Sequence, residues 1–570
     1  MSEAVGSGQW AVAECLLGRL RPAGCRLLFL LLATACWPLA SSAQTRTVEI
    51  LNADLVSVTQ DSSGVVRRLD GNVRLRQDTT ALSARSAVYD EARSEVVLRG
   101  DVRIVSGRNT LTAAEVVYRS DTRVAEARSG VRVADDRSVL TAPNVTHDTR
   151  TEVSTFSGGG RITHRGSVIT SPAGTYASGP QIASLSGPVL LVDSTGTVAA
   201  ARGTYDARVQ RADFAGTVRL RRPDVRLAAD SLVYFRRTER ARAYGRVALE
   251  RIGSGRTAAE VRRGAAPADS SRRTFLFGEQ LLYDGRTEAA QARGVAGRDP
   301  LLVTLAGRPD GGVDTTLVRA PRLDAARRVA RGDTTTVLTA WGGARVVDGR
   351  LVAVADSVRL TRRAPGGGEA VDRLGLFGRA RPSVWASGAQ LTGDTLFVTS
   401  RAGRPDTLLV IGGAFSARVD STVGRVQQLA GGRMQAFFEG DEADGTSALR
   451  RLAVWPTAEA FTFRAEGTGA AARLAGADRL SADSLAVFFE RGKIREVRGY
   501  GGVAGTAYGP RIVPEGTRLA GYTFTPEAAP TRAAVLDMSG WEARWLADYG
   551  PPPEALRPPS DPPAPARPPE

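Results

Sequence analysis

The stretch that decides the fold runs from Ala84 to Val133, ARSAVYDEARSEVVLRGDVRIVSGRNTLTAAEVVYRSDTRVAEARSGVRV, in which the order small residue, tyrosine, glycine occurs twice. Ala84 and Tyr89 precede Gly100, and Ala113 and Tyr118 precede Gly130. Outward from this stretch the tyrosine slot recurs every 29 residues as His147, Tyr176, Tyr205 and Tyr234, with Ala142, Ser171, Ala200 and Ala229 five residues ahead of each. The glycines follow as Gly159, Gly187, Gly216 and Gly245, and Gly71 stands in front of the series. A fixed period between 20 and 50 residues marks an architecture in which each unit stacks on its neighbours.

The segments after the glycines identify the unit. Val73-Arg74-Leu75, Val102-Arg103-Ile104, Val131-Arg132-Val133, Val218-Arg219-Leu220 and Val247-Ala248-Leu249 mostly alternate apolar with polar residues. Period-two alternation rich in β-branched residues predicts strands with one buried and one wet face. The tyrosine segments are short and strand-like as well. The stretches between, such as Asp90 to Ser94, Ser106 to Asn109 and Ser120 to Thr122, are rich in turn formers. No segment outside the N-terminus sustains a helical period. The expectation is an all-β repeat stack of two or three short strands per unit, in one stack or in two lobes.

The first 43 residues stand apart. Arg19, Arg21 and Arg26 precede an apolar run from Leu27 to Ala35, and Ser41-Ser42-Ala43 offers a cleavage site before Gln44. These features predict a secretory signal peptide over residues 1–43. The rival reading, lipidation at Cys36, lacks a large aliphatic residue at Ala33. No other apolar run approaches the ~20 residues of a membrane-spanning helix. The mature chain is expected to be exported, with repeats over 44–300, a second repeat lobe over 301–545 and a proline-rich tail over 546–570. Residues 252–274, 362–370 and 440–447 interrupt the period and are expected to be insertions.

Composition removes classes of function. All three cysteines, Cys15, Cys25 and Cys36, fall before the predicted mature start, so no disulfide or thiolate metal site is expected there. The two histidines, His147 and His164, are too few for a triad or a multi-histidine centre, and His147 fills a tyrosine slot. Asp54, Asp230, Asp356, Asp394 and Asp483 recur in one setting, which suits turn or capping groups bonding nearby backbone better than general acids. No catalysis, metal or cofactor is expected. Lys plus Arg number 76 against 60 acids, and Lys493 is the only lysine. Arginine suits phosphate groups, and Arg74, Arg103, Arg132 and Arg219 are candidate anion contacts; the bland alternative is neutralisation by neighbouring acids. Nucleic acid is a poor partner for an exported chain without a compact basic module with interleaved aromatics.

Several segments carry a resemblance. Ala228-Ala229-Asp230-Ser231-Leu232-Val233-Tyr234, with Ala243-Tyr244-Gly245-Arg246-Val247 after it, resembles the repeat of the OstA/LptA family of periplasmic lipopolysaccharide-transport proteins. Val48 to Asp54 with Asp70-Gly71-Asn72-Val73 resembles that family's first repeat. Gln390 to Leu396, Leu429 to Phe438 and Leu480 to Leu485 resemble the long OstA-like proteins of the Bacteroidota and relatives. The resemblance spans about residues 44 to 525.

It implies a semi-open β-jelly roll, or folded β-taco, located in the periplasm, with acyl chains in an apolar groove. The implied cargo is lipopolysaccharide or a related glycolipid. Docking of the end strands, near Val48 to Val58 and Leu519 to Phe524, to other jelly-roll components by edge-strand addition is implied too, with head-to-tail self-association as a further expectation. Groove candidates are Val73, Leu75, Val102, Ile104, Val131, Val133, Val218, Leu220, Val247 and Leu249. With one ~4.8 Å rung per unit, about seventeen units would make a stack roughly 80 Å long. The alternatives are a structural or adhesive surface solenoid, and a β-helical carbohydrate-active enzyme, which would need a non-repeating acid pair in a cleft.

Overall fold

Alternating segments this regular have to pair, and in the computed structural model each does so with strands one to three places away in the chain. The structure describes residues 47–549 apart from 63, 224, 253–271, 296, 308–312, 331–332, 350, 365–370, 387, 402–403, 421, 442–445, 468–471, 491–492, 515 and 539. The predicted signal peptide, most of the expected insertions at 252–274 and 362–370, half of that at 440–447, and residues 550–570 of the tail lie outside the described residues. Within them a single antiparallel sheet of 36 strands runs from Glu49–Asn52 (β1) to Ala504–Tyr508 (β36). The fold is the expected all-β stack.

Its unit differs from the expected one. Except at Gly159, where Val153–Ser157 and Gly160–His164 are separate strands, the segments on either side of a repeat glycine are halves of one strand, as in Gly64–Gln77 (β3), Glu95–Ser106 (β5) and Val124–Ala134 (β7). The intervening strands, Thr80–Asp90 (β4), Asn109–Arg119 (β6) and Ser138–Asp148 (β8), carry the alanine and the tyrosine slot. One 29-residue period therefore supplies two rungs, roughly 10 Å of stack at ~4.8 Å each, which doubles the rise expected from one rung per unit.

The long strands bend at mid-length. The register slips between Asp70 and Val73 opposite Ala84 to Ser86, and again between Arg99 and Val102. On the glycine strands two successive residues adopt left-handed backbone, as at Gly71 (φ 76°) and Asn72 (φ 47°). Such a pair bends and twists a strand at a bulge. The slip also shifts the alternation of the partner strand, so that Ala84 on one side of the corner and Ala87 on the other both face inward. Glycine is needed at Gly71 for a second reason: a Cβ there would collide with the carboxylate of Asp54. Gly245, Gly412 and Gly501 stand in the same way over Asp230, Asp394 and Asp483. The recurring aspartates are thus corner residues. The backbone N–H of Asp54 donates to the carbonyls of Asp70 and Gly71 at 3.0 and 2.9 Å, and its side chain accepts from Asn72 at 3.1 Å. Asp356 accepts from the backbone of Arg379 and Ala380.

The bends fold the sheet lengthwise into two walls. The first runs from the corner to the hairpin ends at residues such as Gln77; the second holds the tyrosine slots. Between them lies a continuous core that extends from Val48 to Phe489.

Two expectations fail at the C-terminus. Leu519 to Phe524 form no edge strand: with Pro514, Gly516, Gly521 and Pro526 around them they run as turns and coil over the outer face of the first wall, where Leu519 is 2% exposed. Helix also occurs, at Arg532–Leu536 (α1) and Trp541–Tyr549 (α2). The two tryptophans that α2 spaces by one turn, Trp541 and Trp545, meet Phe277 and Phe275 edge to face with ring centroids about 6 Å apart. Their spacing fits a helix, in a segment too short for a period to show. The helix carries ordered chain to residue 549, four residues into the segment assigned to the tail. Among the described residues no helix is long and apolar enough to cross a membrane.

Candidate functional site

The space between the walls is where alternation concentrates apolar side chains. On the first wall Leu75 pairs with Leu82, Leu82 with Ile104, Ile104 with Leu111, and Leu111 with Val133. The same column continues rung by rung through Ile162, Leu191, Leu220, Leu249 and Leu276 to Leu391, is broken by Ser416, and resumes through Leu429 to Leu480. A facing column on the second wall begins Leu69, Ala87, Leu98, Val116, Ala127, Val145 and ends Met434, Val454, Leu485. Large residues alternate there with alanine and glycine, as interdigitation requires.

The structure places nine of the ten sequence-derived groove residues on the inner face of the first wall as buried side chains: Val73, Leu75, Val102, Ile104, Val131, Val133, Val218, Leu220 and Val247. Leu249 is partly buried against the same core. Arg74, Arg103, Arg132 and Arg219 alternate with them and point to the outer face.

The tyrosines form a further column on the second wall, in which Tyr118, Ala125, His147, Ser154, Tyr176, Ala183, Tyr205, Ala212 and Tyr234 are successive partners. This column lies at the long mouth of the fold, opposite the corner. Here the side chains of one wall reach the other. Tyr118 donates to Oε1 of Gln77 at 2.6 Å, and Gln77 donates to the carbonyl of Ser120 at 2.9 Å. Ser106 donates to the carbonyl of Thr149 at 3.0 Å. Farther along, Tyr176 donates to Asp135 at 2.6 Å, Arg236 pairs with Asp193 at 3.5 Å, Arg222 donates to the hydroxyl of Tyr234 at 2.9 Å, and Arg251 pairs with Glu288 at 2.7 Å.

These contacts make a polar seam that seals the interior from water. Burial opposes the charge on Glu288, yet Arg251 and Arg327 outweigh it and hold its carboxyl below the usual range. Burial pushes the hydroxyls of Tyr118, Tyr176 and Tyr205 up, so they stay protonated, and Tyr118 and Tyr176 donate across the seam. Both histidines sit at the mouth. His147 bonds Ser154 at 2.9 Å and burial lowers its pKa to about 4; His164 bonds Ser138 at 2.9 Å and packs on Tyr205, its pKa likewise lowered by burial. His147 is the buried aromatic that its slot predicted.

The sequence reading missed the seam. Its members are turn residues of one wall and tyrosines of the other, separated by 41 or 43 positions in the Gln77, Ser106 and Tyr176 contacts, and no local period links them. It also missed that the outer face of the first wall turns apolar from Ala248 onward, through Phe275, Phe277, Leu301 and Val303, where the C-terminal segment covers it. That signal was present: Phe275-Leu276-Phe277 and Leu301-Leu302-Val303 are unbroken apolar runs, which suit strands buried on both faces.

Residues 45–200 match the protein family described as OstA-like protein, so the N-terminal part of the chain is similar to that family. The match covers the strands from β1 to the middle of Gly196–Asp206, and the apolar columns continue beyond it without a break in pairing. No curated protein matches the chain. Among the described residues no group of three or more His, Cys, Asp or Glu side chains could hold a metal ion.

Proposed function

We propose that the protein carries lipopolysaccharide, or a related envelope glycolipid, across the periplasm without catalysing a reaction, its acyl chains lying between the two walls and its sugars at the mouth. The observation that carries this reading is the pair of apolar columns that face each other from Leu69 and Leu75 to Leu485 and Leu480. An acyl chain of about a dozen methylenes costs on the order of 10 kcal/mol to expose to water at ~0.8 kcal/mol per CH₂, so a carrier needs a long apolar path, which Ser416 interrupts at one rung of the first wall. The OstA-like match over residues 45–200 supports the same cargo class. Loading a chain requires the walls to part at the seam, whose neutral hydrogen bonds are worth only about 1 kcal/mol each.

Partners fit the two ends of the sheet. At the first end Ile50, Leu51, Leu55, Val56 and Val58 are exposed large apolar side chains on the unpaired edges of β1 and Leu55–Asp61 (β2). Such an edge is suited to strand addition by another jelly-roll component or by a second copy. The last strands, Lys493–Tyr500 (β35) and β36, offer the opposite end in place of Leu519 to Phe524.

The test is photocrosslinking in cells from a probe amino acid at Ile104 or Leu220, with Arg103 and Arg219 as outward-facing controls. Lipopolysaccharide adducts at the apolar sites alone are expected. Absence of adducts from a folded, exported protein would favour a structural or adhesive stack instead.

A further inference from the structure

The outer face of the first wall carries a row that the interior does not use. Across the rungs from β3 to Gly160–His164 (β10), Arg74 pairs with Ser83, Ser83 with Arg103, Arg103 with Thr112, Thr112 with Arg132, Arg132 with Thr141, and Thr141 with Arg161. The four arginines are exposed and fall on alternate strands, roughly 10 Å apart at ~4.8 Å per rung. Each is separated from the next by a Ser or Thr hydroxyl. None has a described acid within ion-pair distance, whereas arginines elsewhere on the surface, such as Arg67, Arg99 and Arg119, are matched by Glu91, Glu115 and Glu126. The row ends at Leu190, two rungs beyond Arg161. At that end Arg132, Arg161, Thr141 and Thr170 line an open concavity of about 1040 Å³ with Pro143 and Pro172.

We infer that this row binds an extended acidic polysaccharide, the carboxylates or phosphates of its alternate sugars meeting Arg74, Arg103, Arg132 and Arg161 in turn. Like charges held in register on a flat face repel, and a chain of anions at the same spacing removes that repulsion. The guanidinium fork suits carboxylate and phosphate oxygens, the interleaved hydroxyls can bond the sugar hydroxyls between charges, and the proline-walled concavity admits a sugar ring. No aromatic side chain stands on the row to stack a nucleic-acid base. The row lies on the outer face close to the corner, and its side chains point away from the interior, so the inference does not depend on the lipid reading.

The test uses the full-length protein and sodium polygalacturonate, with neutral dextran as baseline and vesicles containing phosphatidylglycerol as a second anionic surface. Replacing Arg74, Arg103, Arg132 and Arg161 by Ser is expected to weaken polygalacturonate binding by about tenfold or more and to flatten its salt dependence. Replacing Arg128, Arg202, Arg221 and Arg359, exposed arginines outside the row, removes the same charge and is expected to change binding by less than about twofold. Equal weakening by both sets would show diffuse charge attraction and overturn the site. Vesicle binding that depends on the row while polygalacturonate binding does not would assign the row to a membrane surface. Circular dichroism checks the fold, and the pair Arg132→Ser with Arg161→Ser repeats the comparison if the fourfold variant fails to fold.

Discussion

His147 shows what a single substitution in a repeat does. The slot demands a buried ring: the position is 1% exposed, and tyrosine fills it at Tyr118 and Tyr176 two rungs away on either side. Histidine meets the demand only when neutral, which is why its pKa falls to about 4. An unfolded histidine titrates near 6.5, so the unfolded chain binds a proton that the folded chain refuses between these values. The contribution to stability is whole above pH 6.5 and is lost as pH falls towards 4, by about 3 kcal/mol over the full interval. Between pH 7 and 4.5, urea unfolding of the wild type is expected to lose about 2–3 kcal/mol more than that of His147→Tyr; equal losses would show that the ring is protonated in the folded chain. The slot was legible in the sequence from the 29-residue period. The titration was not, because it depends on both walls excluding water.

At the scale of elements, the period identified the strands but joined them wrongly. Alternation restarts after each glycine, so Val96 to Leu98 and Val102 to Ile104 look like separate strands, while the left-handed pair Gly100 and Asp101 bends one strand through both. The C-terminal segment escaped because nothing in it repeats. It is held by side chains of the first wall that bond its backbone: Gln428 exchanges hydrogen bonds with Thr517 and Leu519 at 2.8 and 2.9 Å, Gln390 accepts from Thr525 at 2.7 Å, and Arg319 donates to the carbonyls of Val535, Leu536 and Asp537. Charged hydrogen bonds of this kind contribute about 1.5–3 kcal/mol each, neutral ones about 1. Gln428→Ala combined with Arg319→Ala is expected to speed proteolytic cleavage within residues 510–540 by about tenfold or more while the sheet stays resistant. An unchanged cleavage rate would mean that the apolar contacts of Leu519, Val535 and Trp545 hold the segment unaided.

At the scale of the molecule, the lengthwise fold makes the mouth, closed by the seam, a long route to the interior among the described residues, and a carrier of acyl chains could open it. The chain beyond Cys36 has no cysteine, so Gln77→Cys with Ser120→Cys can be joined across the seam by a short bis-maleimide without side reactions. Joining the walls is expected to abolish lipid adducts from a probe at Ile104 and to leave the fold intact. Adducts at undiminished yield would mean that lipid reaches this rung by another path.

The sequence by itself determined that this chain is an all-β stack, which residues face inward and where the hairpins turn. Those properties follow from alternation and from turn chemistry, which act over a few residues and survive in every repeat. Only the tertiary structure decided that the long strands bend into two walls, that the recurring aspartates sit under corner glycines, that Tyr118 and Gln77 meet across the mouth, that the arginine row stands clear of acids, and that Leu519, Val535 and Trp545 return to cover Phe415 and Phe275. Each of those depends on the angle at the corner and the offset of one wall against the other. These are set by packing across the whole core, where residues more than 40 or even 200 positions apart come within a hydrogen bond of each other.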